Sequence, residues 1–292
     1  MRAWKWWAII VTALAGLIAG VALRYAAKPR VDRNREYTIG YGDYKPLHFV
    51  DENGNPSGLA VGIVKEAARR RGIRLKWVLS ESSGIRGVQS GELDLWVLAA
   101  DLPERHKFAY LSQPYLVTEY CLLVPADSPH RQAGDLAQAR ISYAGTTAEH
   151  TIVPPLFPQA KLVPSGSPAG AFDALIDGRS DAALLDQYAA GYLALTGTRV
   201  KRLRIVPLSG LRDHLSLTAN FRAQGVAEEL RDEIRVMAVE GALSPLFGGW
   251  GFFPGLNLEA LDTLSTAVRR ERYLQAGVSA LVLLLIWGCR GS

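Results

Sequence analysis

From Tyr37 onwards, short apolar segments alternate with amphipathic ones, and this alternation limits the possible folds more than any other feature of the chain. The segments "YTIGYG" (37–42) and "RLKWVL" (74–79) are typical of strands. Between them lies "LAVGIVKEAARRRG" (59–72), in which apolar residues recur at helical spacing and a glycine ends the pattern. Strands that alternate with helices predict an α/β fold.

One pattern occurs twice in this region. The segments "VQSGELDLWVLAAD" and "LIDGRSDAALLDQ" each read as a helix end, a glycine, two residues, an aspartate and an apolar strand. Gly178 and Asp181 of the second segment correspond to Gly91 and Asp94 of the first. The repetition predicts two similar lobes that face each other across a cleft.

The amino-terminal segment "WWAIIVTALAGLIAGVAL" (6–23) carries no charge and has about the length that spans a bilayer. Arg2 and Lys5 precede it, and tryptophans at its start suit the membrane interface. We therefore assign residues 1–30 to a membrane anchor, with a long signal peptide as the alternative.

The carboxy-terminal segment "YLQAGVSALVLLLIWGC" (273–289) is also apolar and has no polar face over "ALVLLLIW". A membrane is the easier environment for it, and a helix packed elsewhere is the alternative. Residues 256–292 are thus expected to form a juxtamembrane helix and a second transmembrane segment.

The net charge of +5 comes from the two ends of the chain. Residues 1–36 and 269–292 hold eleven of the 33 basic residues and three of the 28 acidic ones, so residues 37–268 have a net charge of −3. This distribution excludes nucleic acid as a partner. The basic residues that flank both apolar segments would place the central domain inside the cell, but large domains cross membranes largely regardless of that bias. Topology is therefore inferred from the identity of the domain.

Cysteine and histidine give no sign of a metal site. Cys121 and Cys289 are far apart in the sequence, and the five histidines show no ligand spacing. We expect no cofactor and no metal.

Several motifs occur in a characteristic order: "IGYGDYKPLHFVDENGNPSGLAVG", "GELDLWVLAADLPERHKFAYLSQPY", "ISYAGTTAEH", "AFDALIDGRSDAALLDQYAA" and "GALSPLFGGWG". Over residues 36–252 the chain resembles the bacterial extracellular solute-binding proteins of family 3, the periplasmic amino-acid receptors of ABC importers and related sensor modules. The resemblance implies a two-lobed, type II periplasmic-binding-protein-like domain with a hinge, at 36–253. Its first lobe would comprise about 36–116 and 214–253, and its second about 119–211.

The resemblance also implies a clamp for an amino-acid zwitterion. Arg105, in the "PER" motif, would grip the ligand carboxylate, because two parallel N–H groups match a carboxylate. The alternative for Arg105 is a solvated side chain in the first turn of a surface helix. Asp186 would receive the α-ammonium group, and its alternative is a cap for the following helix.

Two further contacts follow from the same resemblance. In "GTTAEH", Thr146 and the backbone near Thr147 would touch the ligand from the second lobe, and Thr146 and Glu149 also have capping-box spacing. The ring of Tyr44 would pack on the ligand, and a core or rim tyrosine is the alternative.

The chain departs from the family pattern at four positions. Ala100 stands where a ligand-binding Ser or Thr is usual, Leu98 where a glycine is usual, Ser82 in place of a second aromatic wall, and Tyr41 in place of a polar pocket residue. The side-chain pocket is therefore altered, and the sequence does not single out one amino acid.

Three functions fit these features. The first is a membrane-anchored receptor for an amino acid or similar small polar solute, held at the inner membrane with its soluble domain in the periplasm and serving an ABC permease. The second is the input domain of a membrane sensor such as a histidine kinase or diguanylate cyclase, with the sensor either truncated in this sequence or dependent on a membrane signalling partner for its output. The third is a cyclohexadienyl-dehydratase-like enzyme, for which Glu81, Asp101 and Glu119 are candidate acids by location; we expect no enzymatic activity.

Overall fold

The computed structural model describes residues 31–80, 84–196 and 203–250. The membrane segments predicted at 6–23 and 273–289 lie outside these residues. Within the described part of the chain, no helix combines the length and the apolar character needed to cross a bilayer.

The first lobe is an α/β unit built around parallel strands. Its elements before the crossing are β1 (Glu36–Tyr41), β2 (Phe49–Val50), β3 (Pro56–Ser57), α1 (Leu59–Arg71), β4 (Arg74–Leu79), α2 (Gly84–Ser90), β5 (Leu95–Ala100), a 3₁₀ turn (Pro103–Lys107) and β6 (Tyr110–Leu111). After the return crossing, a 3₁₀ turn (Phe221–Ala223), α6 (Gln224–Val239) and α7 (Ser244–Gly248) complete it. Strand β1 pairs in parallel with both β4 and β5.

The second lobe repeats this design on a smaller scale. Its elements are a 3₁₀ turn (Ala133–Leu136), β8 (Arg140–Tyr143), α3 (Thr147–Leu156), β9 (Lys161–Pro164), α4 (Pro168–Ile176), β10 (Ala182–Asp186) and α5 (Gln187–Thr196). Strand β8 pairs in parallel with β9 and β10.

Two long strands join the lobes into one sheet. They are β7 (Leu116–Pro125) and β11 (Leu203–Ala219), and the strand order is β4-β1-β5-β11-β7-β10-β8-β9. Strand β11 pairs with β5 of the first lobe and with β7, which in turn pairs with β10 of the second lobe. The register of β11 against β7 shifts between Pro207 and Arg212. The floor between the lobes is therefore a two-stranded antiparallel hinge.

Helix α1 confirms the helical periodicity of the sequence. Leu59, Ile63 and Val64 have no exposed surface, and α1 packs in the core of the first lobe. The helix ends at Gly72, which has φ 62° and donates its N–H to carbonyls of the last turn.

The repeated Gly-x-x-Asp pattern corresponds to one structural device that is used in both lobes. The Asp94 carboxylate accepts the N–H of Thr38 at 3.0 Å, and the Asp181 carboxylate accepts the N–H of Arg140 at 2.8 Å. Each aspartate thus ties the start of its own strand, β5 or β10, to the neighbouring strand. The sequence repeat therefore reflects two lobes of similar construction.

Candidate ligand-binding cleft

A cavity of about 410 Å³ lies between the two lobes, where β7 and β11 pass from one lobe to the other. Its volume falls in the range of small-molecule sites. The predicted site residues that line it are Tyr44, Ala100, Arg105, Thr146 and Asp186. Residues from both lobes and from the hinge therefore meet in one cavity.

The other predicted site residues are distributed differently. Thr147 is the first residue of α3, next to Thr146, and Ser82 lies outside the described residues. Leu98 lines the cavity beside Ala100, so this wall is apolar. Tyr41 is not among the lining residues; its ring packs edge-on against Trp77, with 6.0 Å between ring centroids.

The acids considered for an enzyme do not gather in the cavity. Asp101 is bonded to His106 at 2.6 Å, and Glu119 pairs with Arg212 at 2.5 Å. Neither acid lines the cavity, and Glu81 lies outside the described residues. Among the described residues, neither Asp101 nor Glu119 is therefore placed to act as a general acid in the cleft.

Arg105 is held in place by the backbone of its own lobe. The 3₁₀ turn that carries it starts at Pro103, and the Arg105 side chain turns back so that Nη1 donates to the carbonyl of Ala100 at 2.7 Å. Only 6% of Arg105 is exposed, so the alternative of a solvated surface arginine is wrong. Burial lowers the pKa of the guanidinium, and the charges of Glu104 and Asp213 oppose that shift. Arginine keeps its charge under these conditions, so the cavity contains a fixed buried cation.

Asp186 both caps a helix and faces the cavity. Its Oδ1 accepts the N–H groups of Tyr188 at 2.9 Å and Ala189 at 3.2 Å, which caps α5. Its Oδ2 accepts the hydroxyl of Tyr44 at 2.7 Å, a bond that crosses from the second lobe to the first. Burial raises the pKa of Asp186, and these hydrogen bonds oppose the rise. The two interpretations of Asp186 are therefore compatible.

The capping box predicted at the start of α3 is present. The Thr146 hydroxyl accepts the N–H of Glu149 at 3.2 Å, and Glu149 Oε2 accepts the N–H of Thr146 at 3.0 Å. Glu149 is 1% exposed, and its Oε1 has no hydrogen-bond partner among the described residues. Burial, with a contribution from the Asp186 charge, raises the pKa of Glu149 to about 7.

Asp213 and Tyr120 line the cavity floor and were missed by sequence reasoning. Asp213 lies on β11 opposite Thr118 of β7 and is 7% exposed. The Tyr120 hydroxyl donates to Asp213 Oδ2 at 2.7 Å. Burial raises the pKa of Asp213, while the Tyr120 hydrogen bond and the Arg105 charge lower it. The sequence did contain one indication of this site. Asp213 lies two positions before Leu215 and so shares its buried strand face, where an apolar residue would be expected.

An aromatic wall closes the cavity on the first-lobe side. Trp96 and His48 both line it, with 5.7 Å between ring centroids. His48 Nδ1 accepts the N–H of Gly42 at 3.1 Å, and burial lowers the pKa of His48 to about 4, so this ring is neutral. Gly84 lies against the Trp96 ring, since a Cβ there would be 1.9 Å from it. Trp96 and the neutral His48 ring therefore bring no charge to this side of the cavity.

The comparisons with known proteins agree with this architecture. A family model described as bacterial extracellular solute-binding proteins, family 3, matches residues 37–252. The amino-acid-binding protein AabA of Dichelobacter nodosus is 22% identical over 247 residues, which cover 82% of this chain and 94% of that protein.

Two solved structures show the same fold. One is the ancestral amino acid-binding protein AncCDT-1, a precursor of cyclohexadienyl dehydratase, with TM-score 0.65 and 24% identity over 75% of this chain and 96% of that one. The other is a histidine kinase sensor domain with similarity to periplasmic binding proteins, with TM-score 0.67 and 20% identity over 75% of this chain and 97% of that one.

The family match spans most of the chain and coincides with the two lobes and their hinge. The chain therefore belongs to the bacterial extracellular solute-binding proteins, family 3.

Proposed function

We propose that the protein is a receptor that binds an amino-acid zwitterion in the cleft between its lobes. The carboxylate of the ligand pairs with Arg105, and its α-ammonium group pairs with Asp186 and the Tyr44 hydroxyl. The free N–H groups at the start of α3 assist at the carboxylate. We further propose that the soluble domain lies in the periplasm, tethered to the inner membrane by the segment at 6–23.

The strongest support for the proposal is the pair of opposite buried charges in the cavity. A buried guanidinium and a buried carboxylate, Arg105 and Asp186, line the same cavity from opposite lobes. A zwitterion carries the complementary pair of charges, and ionised hydrogen bonds in a closed cleft are strong. The ligand thereby connects the lobes, so its binding favours the closed arrangement.

Two substitutions test the clamp by removing one charge each. Arg105→Gln and Asp186→Asn should each weaken amino-acid binding by at least about 30-fold, because each leaves a buried ligand charge unpaired. Asparagine retains an acceptor for the N–H groups at the start of α5, so Asp186→Asn isolates the charge from the helix cap. Calorimetric titration of the full chain measures both affinities.

The control for Arg105 is Lys107→Ala, which removes an exposed cation from the same 3₁₀ turn. The control for Asp186 is Asp173→Asn on the exposed face of α4. Both controls should bind as the wild type does. Unchanged affinity in Arg105→Gln and Asp186→Asn, with circular dichroism showing intact folds, would exclude the zwitterion clamp.

Sensing is the second candidate function, and the position of Trp250 favours it over transport. The Trp250 ring lies 5.7 Å from the ring of Phe49 in the first lobe and 6.4 Å from that of Tyr192 in the second. Residue 250 is the last one described before the segment that leads to 273–289. Trp250 therefore contacts both lobes, and lobe closure would change its surroundings. A sensor domain with the same fold is among the solved structures.

Fluorescence of the full chain tests this coupling. A ligand that closes the lobes should change the tryptophan emission of the wild type more than that of Trp250→Phe, because Trp250 supplies part of the response. Identical changes in the two proteins would mean that closure does not reach Trp250, and transport would then be the better account.

A further inference from the structure

The cavity floor holds a second carboxylate that a simple zwitterion clamp does not use. The charged lining residues among those described are Arg86, Arg105, Asp186 and Asp213. Arg86 is exposed and its charge is screened by water, whereas the other three are buried. The buried groups are therefore one cation and two anions.

The two buried aspartates differ in the number of hydrogen bonds that their carboxylates accept from the protein. Asp186 accepts hydrogen bonds from two backbone N–H groups, from the Tyr44 hydroxyl and from Thr118 Oγ1 at 3.4 Å. Asp213 accepts one, from the Tyr120 hydroxyl to Oδ2. Within the described residues Oδ1 of Asp213 has no such donor, and it is not one of the fully buried unpaired atoms, so it stays accessible. Asp213 thus has one carboxylate oxygen free for a ligand.

Arg105 does not neutralise Asp213 directly. Its Nη1 donates to the Ala100 carbonyl, and among the described residues Arg105 and Asp213 form no ion pair, although the Arg105 charge lowers the pKa of Asp213. A neutral zwitterion would neutralise Arg105 and Asp186 and leave Asp213 as an unpaired charge in a cleft that closes around the ligand. Such a charge is costly.

Glu149 is a third buried carboxyl group close to the cavity. Its carboxyl lies at the start of α3, beside the lining residues Thr146 and Ala148, and Oε1 has no partner within the described residues. Its charge and that of Asp186 act on one another. Asp186 and Asp213 therefore face a single buried cation, Arg105, and Glu149 adds part of a negative charge behind the second-lobe wall, since its pKa is about 7.

We propose that Asp213 determines specificity by pairing with a second positive charge on the ligand, so that the cleft prefers amino acids with a cationic side chain. This preference rests on the proposed function. Arg105 and Asp186 hold the α-carboxylate and α-ammonium groups, and Asp213 pairs with the charge on the side chain. The ammonium or guanidinium group of the side chain donates to Asp213 Oδ1, and the Tyr120 hydroxyl holds Oδ2.

Matched ligands test the charge alone. Arginine and citrulline have nearly the same shape and differ in the terminal guanidinium, and lysine and norleucine form a second pair. In calorimetric titrations of the full chain, the cationic member of at least one pair should bind at least about tenfold more tightly than its neutral partner.

The variant Asp213→Asn separates the proposal from a role as internal counterion of Arg105. Asparagine keeps an acceptor for the Tyr120 hydroxyl and removes the charge. The cationic ligand should then lose about tenfold or more in affinity while the neutral one changes little, so the ratio within each pair falls towards one. A counterion of Arg105 would instead change both members of a pair equally, because both bring the same carboxylate to Arg105.

The outcomes separate the two claims. If the wild type binds neutral members as tightly as cationic ones, or if Asp213→Asn leaves the ratio unchanged, the specificity role is wrong while the zwitterion clamp stands. If the wild type binds no amino acid of either kind, the proposed function fails and the specificity role fails with it. Asp173→Asn is the control variant, which should keep the cationic preference because it removes an exposed carboxylate of α4 that does not line the cavity.

Discussion

Single side chains in the cleft serve both the fold and the proposed ligand. Asp186 caps α5 with one oxygen and meets Tyr44 across the cleft with the other. Glu149 completes the capping box of α3 and places a second buried carboxyl group near Asp186. A substitution at either position therefore alters stability and binding together, and only isosteric amides separate the two effects.

The buried Glu149 carboxyl makes a testable contribution to the pH dependence of stability. Its pKa in the folded protein is about 7, above the ordinary value of 4.5. The folded state therefore holds this proton more tightly than the unfolded state does. The resulting stabilisation is complete below the unfolded pKa and is lost as the pH rises through the folded one, at about 1.4 kcal/mol per pH unit between the two.

Glu149→Gln removes this titration and keeps the capping box, since glutamine also serves at that position. Between pH 5 and 8 the unfolding free energy of the variant should fall by about 2 kcal/mol less than that of the wild type. Urea denaturation at the two pH values measures the difference. Glu52→Gln, at an exposed site, is the control, and parallel pH curves for Glu149→Gln and wild type would disprove the effect of burial.

At the scale of elements, the start of α1 depends on a glycine. Gly58 has φ 121°, and a Cβ there would lie 2.4 Å from the Leu47 carbonyl oxygen, which belongs to a residue that lines the cavity. Gly54 also has a positive φ, 80°, but a Cβ there would meet nothing within 4 Å. Gly54→Ala should therefore cost about 1 kcal/mol from backbone strain alone, and Gly58→Ala about 3 kcal/mol or more.

Chemical denaturation of the two alanine variants measures these costs. Gly54→Ala acts as the control for positive φ without contact. Equal destabilisation by the two substitutions would show that the backbone near Leu47 moves aside at little cost, contrary to the close packing of this helix start.

Local patterns in the sequence predicted the local elements well. The apolar spacing over 59–72 gave α1 with its end at Gly72, and "TTAE" gave the capping box of α3. Both features depend on residues a few positions apart. The turn after β5 was less predictable: the residues around Pro103 were also compatible with the first turn of a surface helix, and they form a five-residue 3₁₀ turn that buries Arg105.

The candidate site was only partly predictable because strand pairing assembles it. Thr118 and Asp213 are neighbours only through the register of β7 against β11, and the Tyr120–Asp213 bond joins residues 93 positions apart. The resemblance to a family supplied Arg105 and Asp186. No local sequence pattern relates Asp213 to Arg105 or Asp186. Asp213 is recognised as a cavity residue only from the pairing of β7 with β11.

At the scale of the whole molecule, closure and binding depend on the same contacts. Strands β7 and β11 pass from one lobe to the other, so the lobes are joined through one continuous sheet. The Tyr44–Asp186 hydrogen bond links the lobes inside the cleft, and Trp250 contacts aromatic rings of both lobes. Ligand binding would therefore act on the same contacts that set the separation of the lobes.

The most direct measurement for the central claim is a thermal-unfolding screen of the full wild-type chain against the amino acids and small carboxylates. A ligand present at about 100 times its dissociation constant adds about 2.7 kcal/mol of stability, which is easily measured. We expect a clear rise in melting temperature with amino acids, largest for those with cationic side chains, and none with carboxylates that lack an amino group. No shift with any amino acid, or equal shifts with the simple carboxylates, would contradict a cleft built to hold a zwitterion.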